Sequence, residues 1–144
     1  MAITSAICNS FKVEILKAVH NFTASSGNTF NLALYTSSAT LNKSTTAYTT
    51  SNEVATATGY TAKGKAITSV TPVLSTDTAV CDFADISWTS ASFTTRGCLI
   101  FNETASGDPA VCAVDFGGDK TVSSGTFTIQ FPTADASSAI VRIA

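Results

Sequence analysis

The sequence predicts a mainly β fold, an antiparallel β-sandwich with one N-terminal α-helix. Three observations carry this. An apolar stripe at three- and four-residue steps opens the chain. The pattern then changes to period two. Short strand-like segments follow, separated by turn residues and by no further helical pattern. The 144 residues suffice for one domain, residues 1–144, with no internal repeat. A chain of this size buries roughly 68–70% of its unfolded surface, so it needs no disulfide or metal.

The helix is expected over about residues 5–22. Ile7, Phe11, Ile15, Ala18, Val19 and Phe22 form its stripe, with Lys12, Glu14, Lys17 and His20 between them. Thr4 or Ser5 can supply the N-cap oxygen, and Ser25-Ser26-Gly27-Asn28 reads as the stop. A strand follows at Thr29–Thr36, with Phe30, Leu32 and Leu34 on one face. The Thr/Ser-rich stretch from Ser37 to Thr50 reads as an exposed loop, and a loop of that length is usually functional. Further strands are expected at Ile67–Leu74, Thr78–Phe83, Ser92–Asn102, Ala110–Phe116, Thr126–Phe131 and Ala139–Ile143. Gly117-Gly118-Asp119-Lys120 and Ser123-Ser124-Gly125 read as loop tips between strands.

Composition narrows the function. Charged residues make up 12% of the chain, against about 25% in an ordinary soluble domain. Such a neutral, hydroxyl-rich surface repels other proteins weakly and suits permanent assembly. Net charge is −2, and only Lys63 and Lys65 lie close together among the basic residues. No basic stripe is present to neutralise phosphates, so no nucleic-acid partner is expected. No apolar run approaches the roughly 18 residues of a membrane span, and no membrane partner is expected. The start, Met1-Ala2-Ile3-Thr4-Ser5, lacks a targeting pattern, which implies synthesis in a cytoplasm.

Candidate chemistry is sparse. His20, the only histidine, would have to serve any Ser-His-Asp site, and no Gly-x-Ser-x-Gly turn accompanies it. It reads as an ordinary surface position whose loss costs about 1 kcal/mol or less. Asp82 with Asp85, and Asp115 with Asp119, are spaced carboxylates of the kind glycosidases use, but Asp more commonly closes turns. Calcium binding by Asp115 and Asp119 has no EF-hand pattern behind it. Gly59 to Lys65 lacks the phosphate-loop spacing. Cys8, Cys81, Cys98 and Cys112 contain no Cys-x-x-Cys pair, which argues against zinc, and they read as buried free thiols. Neither cofactor nor metal is expected, and no catalytic residue. Tyr35, Tyr48, Tyr60 and Trp88 could stack on sugars if exposed, although the alternation of Trp88 with Ile86 places it in a core or interface.

Four segments add a resemblance. They are Met1 to Lys12, Phe30 to Leu41, Ala113-Val114-Asp115-Phe116-Gly117-Gly118-Asp119-Lys120-Thr121 and Gln130-Phe131-Pro132-Thr133-Ala134-Asp135-Ala136. They resemble a family of small tailed-bacteriophage proteins, mostly uncharacterised and taken to be virion components. The resemblance implies location in the virion and supplies no catalytic residue.

Together these readings predict a non-enzymatic capsid decoration (cement) protein. It would be homo-oligomeric and bound to the major capsid protein or another virion protein. Ile7, Phe11, Ile15, Leu41, Tyr48, Ile140, Val141 and Ile143 are the candidate assembly contacts. The alternative is a tail or head-fibre component that binds a host surface glycan through Tyr48, Tyr60 or Trp88. An enzyme acting on host polysaccharide is a weaker third. Under the first reading, deleting Ile140–Ala144 should impair assembly more than removing Lys63 and Lys65.

Overall fold

A computed structural model describes residues 1–57 and 59–144. It is mainly β, with antiparallel sheets and one short N-terminal helix. The expected long helix is cut at both ends. Ala6–Ile7 form a strand, β1, that pairs with Cys112 and Ala113. Ile7 is therefore a sheet residue. Helix α1 spans only Asn9–Leu16, and Cys8, not Thr4 or Ser5, is its N-cap, with no side-chain cap bond. At the other end Ala18 takes φ 57°. The Val19 N–H donates to Glu14 O at 3.1 Å and the Ala18 N–H to Ile15 O at 3.2 Å. This is a Schellman closure with alanine where glycine is usual, so no residue type announces it. His20 and Phe22 continue the apolar spacing beyond the helix and pack as part of a non-helical segment.

The remaining strands are β2 (Phe30–Tyr35), β3 (Lys65–Ile67), β4 (Ser69–Ser75), β5 (Thr78–Phe83), β6 (Ile86–Asn102), β7 (Ala110–Ile129) and β8 (Val141–Ile143). They form a five-stranded sheet in the order β1-β7-β6-β2-β3 and a three-stranded sheet in the order β4-β5-β8. The expected strand Ile67–Leu74 divides at Thr68, where the chain passes from the large sheet to the small one. Phe83 joins the layers, its ring 6.2 Å from Phe22, 6.1 Å from Phe30 and 5.4 Å from Phe131.

Gly117-Gly118 is not a loop tip. Thr95 pairs with Lys120 and Gly97 with Asp115, so four residues of β7, Phe116 to Asp119, stand against Arg96 alone. Such a wide bulge bends the ribbon and keeps its pairing on both sides. Gly117 supplies φ 77° there. Asp115 closes the bulge by accepting from Arg96 Nε at 2.8 Å and from the Gly117 N–H at 3.0 Å. The bend brings Phe116 and Phe127 of the same strand to 6.2 Å between ring centroids. Ser123-Ser124-Gly125 likewise lies inside β7, at a second irregularity where Ser124 has φ 48°.

The Ser37–Thr50 stretch is also not an exposed loop. Ala39 and Leu41 are buried, and the segment lies across the second face of the large sheet. Thr4 N–H donates to Leu41 O at 2.8 Å, Ala110 N–H to Thr46 O at 2.9 Å and Tyr48 N–H to Asp108 O at 3.0 Å. Tyr48 stacks on Phe101 at 4.8 Å. Phe101 pairs with Asn31, the neighbour of Phe30, so it faces away from Phe30 and Phe83. The large sheet is thus covered on both faces, and one contiguous apolar cluster runs from Ile3 to Val141.

Candidate interaction surface

The eight candidate contact residues separate by burial. Phe11, Leu41 and Val141 belong to the core, so they are not contacts free to meet a partner. Phe11 packs on His20 and Phe22 at 5.0 and 6.0 Å, and Val141 pairs with Cys81. Ile7, Ile15, Tyr48 and Ile140 are half-buried against the same core. Only Ile143 presents a largely free side chain, 53% exposed.

The exposed apolar surface lies mostly on residues that sequence patterning did not single out. Strand β4 is an edge of the small sheet, and Val70 through Leu74 are all exposed, on both faces. Val73 is 58% and Leu74 72% exposed, and Leu16 at the end of α1 is 88% exposed. No charged residue lies between Lys65 and Asp77. That uncharged run was the available signal, but alternation alone reads it as an ordinary half-buried strand. Pro72 sits in a register shift between Val70 and Val73, both usual features of an edge strand. Beside this edge a groove of about 410 Å³ opens between the end of α1 and the small sheet, lined by Ile15, Ala18, Pro72, Ala79, Cys81 and Ile143 among others.

The residues with possible chemistry are held in structural bonds. His20 is buried rather than exposed. Its Nε2 lies 2.8 Å from Glu14 Oε2, and its Nδ1 lies 3.2 Å from Asn102 Nδ2. An amide NH₂ only donates, so Nδ1 accepts and the Nε2–H donates to Glu14. Neither ring nitrogen is left to activate a nucleophile. Removing this ring would cost about 3 kcal/mol, well above a surface site.

Glu53 gathers the denser network. Its Oε1 accepts from Tyr60 Oη at 2.7 Å and from the Lys63 N–H at 2.7 Å, and its Oε2 accepts from Tyr48 Oη at 2.5 Å. The Tyr60 hydroxyl in turn accepts from the Leu34 N–H at 2.9 Å. Lys63 Nζ lies 2.9 Å from Glu103 Oε2 and 3.1 Å from Asp108 Oδ2. Lys65 Nζ donates to Ser87 O at 2.6 Å. Lys63 therefore ties two loops together through ion pairs, and Lys65, an exposed residue of β3, reaches the backbone of β6. Burial pushes the phenols of Tyr35, Tyr48 and Tyr60 well above the ordinary range, and Glu53 adds to the rise in each.

Asp82 acts locally, accepting from the Phe83 N–H at 2.8 Å, and Asp85 holds the distant chain after β7, accepting from the Phe131 N–H at 2.9 Å. Asp115 is bound to Arg96, and the guanidinium with the Gly117 amide holds its carboxyl below the usual carboxylate range. Among the described residues no group of three His, Cys, Asp or Glu is arranged to hold a metal ion. All four cysteines are free. Tyr35, Tyr60 and Trp88 are buried, and Tyr48 is half-buried under Lys63, so these rings offer no flat exposed platform for a sugar. Among the described residues no helix is long and apolar enough to cross a membrane.

No protein-family model matches the chain, and neither curated proteins nor solved structures contain a match to it.

Proposed function

We propose that this protein is a bacteriophage virion component, bound in many copies to the major capsid protein as a decoration protein that holds the assembled shell together. One observation carries the assembly reading: an uncharged edge strand, β4, exposes Val70, Val73 and Leu74. Exposed apolar surface of this kind marks protein–protein contact sites. The bacteriophage context rests on the resemblance of the segments around Met1–Lys12, Phe30–Leu41, Ala113–Thr121 and Gln130–Ala136. A protein that binds only the assembled shell stabilises it by mass action, without chemistry. Neither a catalytic group nor a cofactor has a part in this mechanism.

The test is to locate and count the protein in purified particles. Hundreds of copies on the shell are expected. A dozen or fewer, confined to a tail or fibre, would replace this reading with a tail component. Absence from the particle would remove the virion reading altogether.

A further inference from the structure

The bend in β7 creates a second apolar opening, separate from the β4 edge. The returning arm of the β6–β7 ribbon stands over the large sheet and leaves a groove of about 450 Å³. Ligand-binding clefts span roughly 300–1,000 Å³ and are mostly apolar with a few placed polar groups. Leu32 and Ile100, both buried, form the floor. Val114 and Phe116 form one wall, and Phe127 and Ile129 form the other. These four are half-buried, so their free faces line the opening.

The groove contains one charged lining residue, Lys120. Its ammonium is exposed and has no ion-pair partner among the described residues. The nearby carboxylate of Asp115 is already held by Arg96 at 2.8 Å. An apolar cleft with one unpaired cation complements a ligand with an apolar body and one negative charge. We infer that this groove binds a single-chain anionic amphiphile, a long-chain carboxylate, with its tail between the β7 walls and its head group at Lys120. The inference stands on the groove alone and does not depend on a place in a virus particle.

The test is calorimetric titration of the intact protein with laurate, dodecanol and dodecyltrimethylammonium, each below its micelle concentration. Laurate should bind one to one. Dodecanol should bind about fivefold more weakly, because an exposed charge pair is worth up to about that factor. Lys120→Gln should bring laurate to the dodecanol level and leave dodecanol unchanged. Val114→Phe should weaken laurate and dodecanol at least tenfold by filling the groove. Ile140→Phe, on another lining residue, reads the same effect if Val114→Phe disturbs folding. Three results would overturn the inference: laurate binding no tighter than the trimethylammonium compound, laurate affinity unchanged in Lys120→Gln, or a dimer in sedimentation that laurate takes apart. The last would assign the groove to a second copy of the chain.

Discussion

Glu53 shows how a single side chain can organise a segment that composition reads as loose. Three donors converge on its carboxylate, and they come from residues up to ten positions away. Glu53→Ala would leave the Tyr48 and Tyr60 hydroxyls and the Lys63 amide without their acceptor. Unsatisfied partly buried donors cost about 1–3 kcal/mol, so we expect a loss of about 3 kcal/mol in urea unfolding, with the fold retained. The phenols give a pH dependence. Their folded pKa values lie above the unfolded value of about 10, so the native state holds their protons longer. Stability from this source is complete below about pH 10 and falls as pH rises beyond it. Unfolding free energies measured from pH 8 to 11.5 should show the decline, and a flat profile would contradict the buried placement of Tyr35 and Tyr60.

The thiols divide in a way the sequence did not foresee. Burial raises Cys8 to about 11 and Cys98 to about 12, and Cys112 lies well above its ordinary value. Cys81 is also raised to about 11, yet it is only half-buried and lines the groove beside α1. The thiolate is the reactive form, so all four should alkylate slowly at pH 7.5. Cys81 should be labelled first by iodoacetamide in the native protein and the other three only on unfolding. Equal labelling of all four by mass spectrometry would contradict this order.

At the scale of elements, two devices set the shape. The first is the end of α1, where Ala18 occupies a left-handed position that costs an L-residue roughly 1 kcal/mol relative to glycine. Ala18→Gly should therefore stabilise the protein by up to about 1 kcal/mol, less the entropy glycine adds to the unfolded chain. A shift of about 2–4 °C in melting temperature is the readout, and a decrease would show that the Ala18 methyl matters more for the groove it lines. The second device is the ribbon bend. A Cβ at Gly97 would lie 2.4 Å from Val114 O and 3.0 Å from two Ile3 carbons. Backbone and N-terminal segment meet there, which is why the bend tolerates no side chain at that position.

At the scale of the whole molecule the open β4 edge dominates. If it is the contact surface, association rests on apolar burial at roughly 25 cal/mol per Å², and screening does not weaken it. Val73→Ser and Leu74→Ser should each reduce incorporation into particles lacking the protein by about tenfold, while changing the stability of the free chain by less than about 0.5 kcal/mol. Lys43→Gln, at an exposed lysine, should have little effect, and binding should survive molar salt. Bound copies counted at low and high salt decide between these outcomes. Deleting Ile140–Ala144 is not a clean probe, because Val141 is core and pairs with Cys81. Removing Lys63 is no better, since it clasps Glu103 and Asp108.

Much of the architecture was legible in the residues. Period-two alternation placed Thr78–Phe83 as a strand to the residue and Phe30–Tyr35 to within one at each end, because a buried face imposes that alternation wherever a sheet has one. The mainly β class and the single helix follow from the same physics. Tertiary contacts decided the rest. Helix α1 stops early because Ala18 turns into a conformation that nothing in its side chain requires. Gly117-Gly118 became a bulge rather than a turn because the ribbon regains its pairing at Lys120. The segment from Ser37 to Thr50 became a covering layer because its few apolar residues, Ala39, Leu41 and Tyr48, meet the second face of the large sheet. The candidate surface was hidden for a related reason. Valine and leucine look alike in a central strand and an edge strand, and only the strand order of the small sheet leaves one side of β4 unpaired.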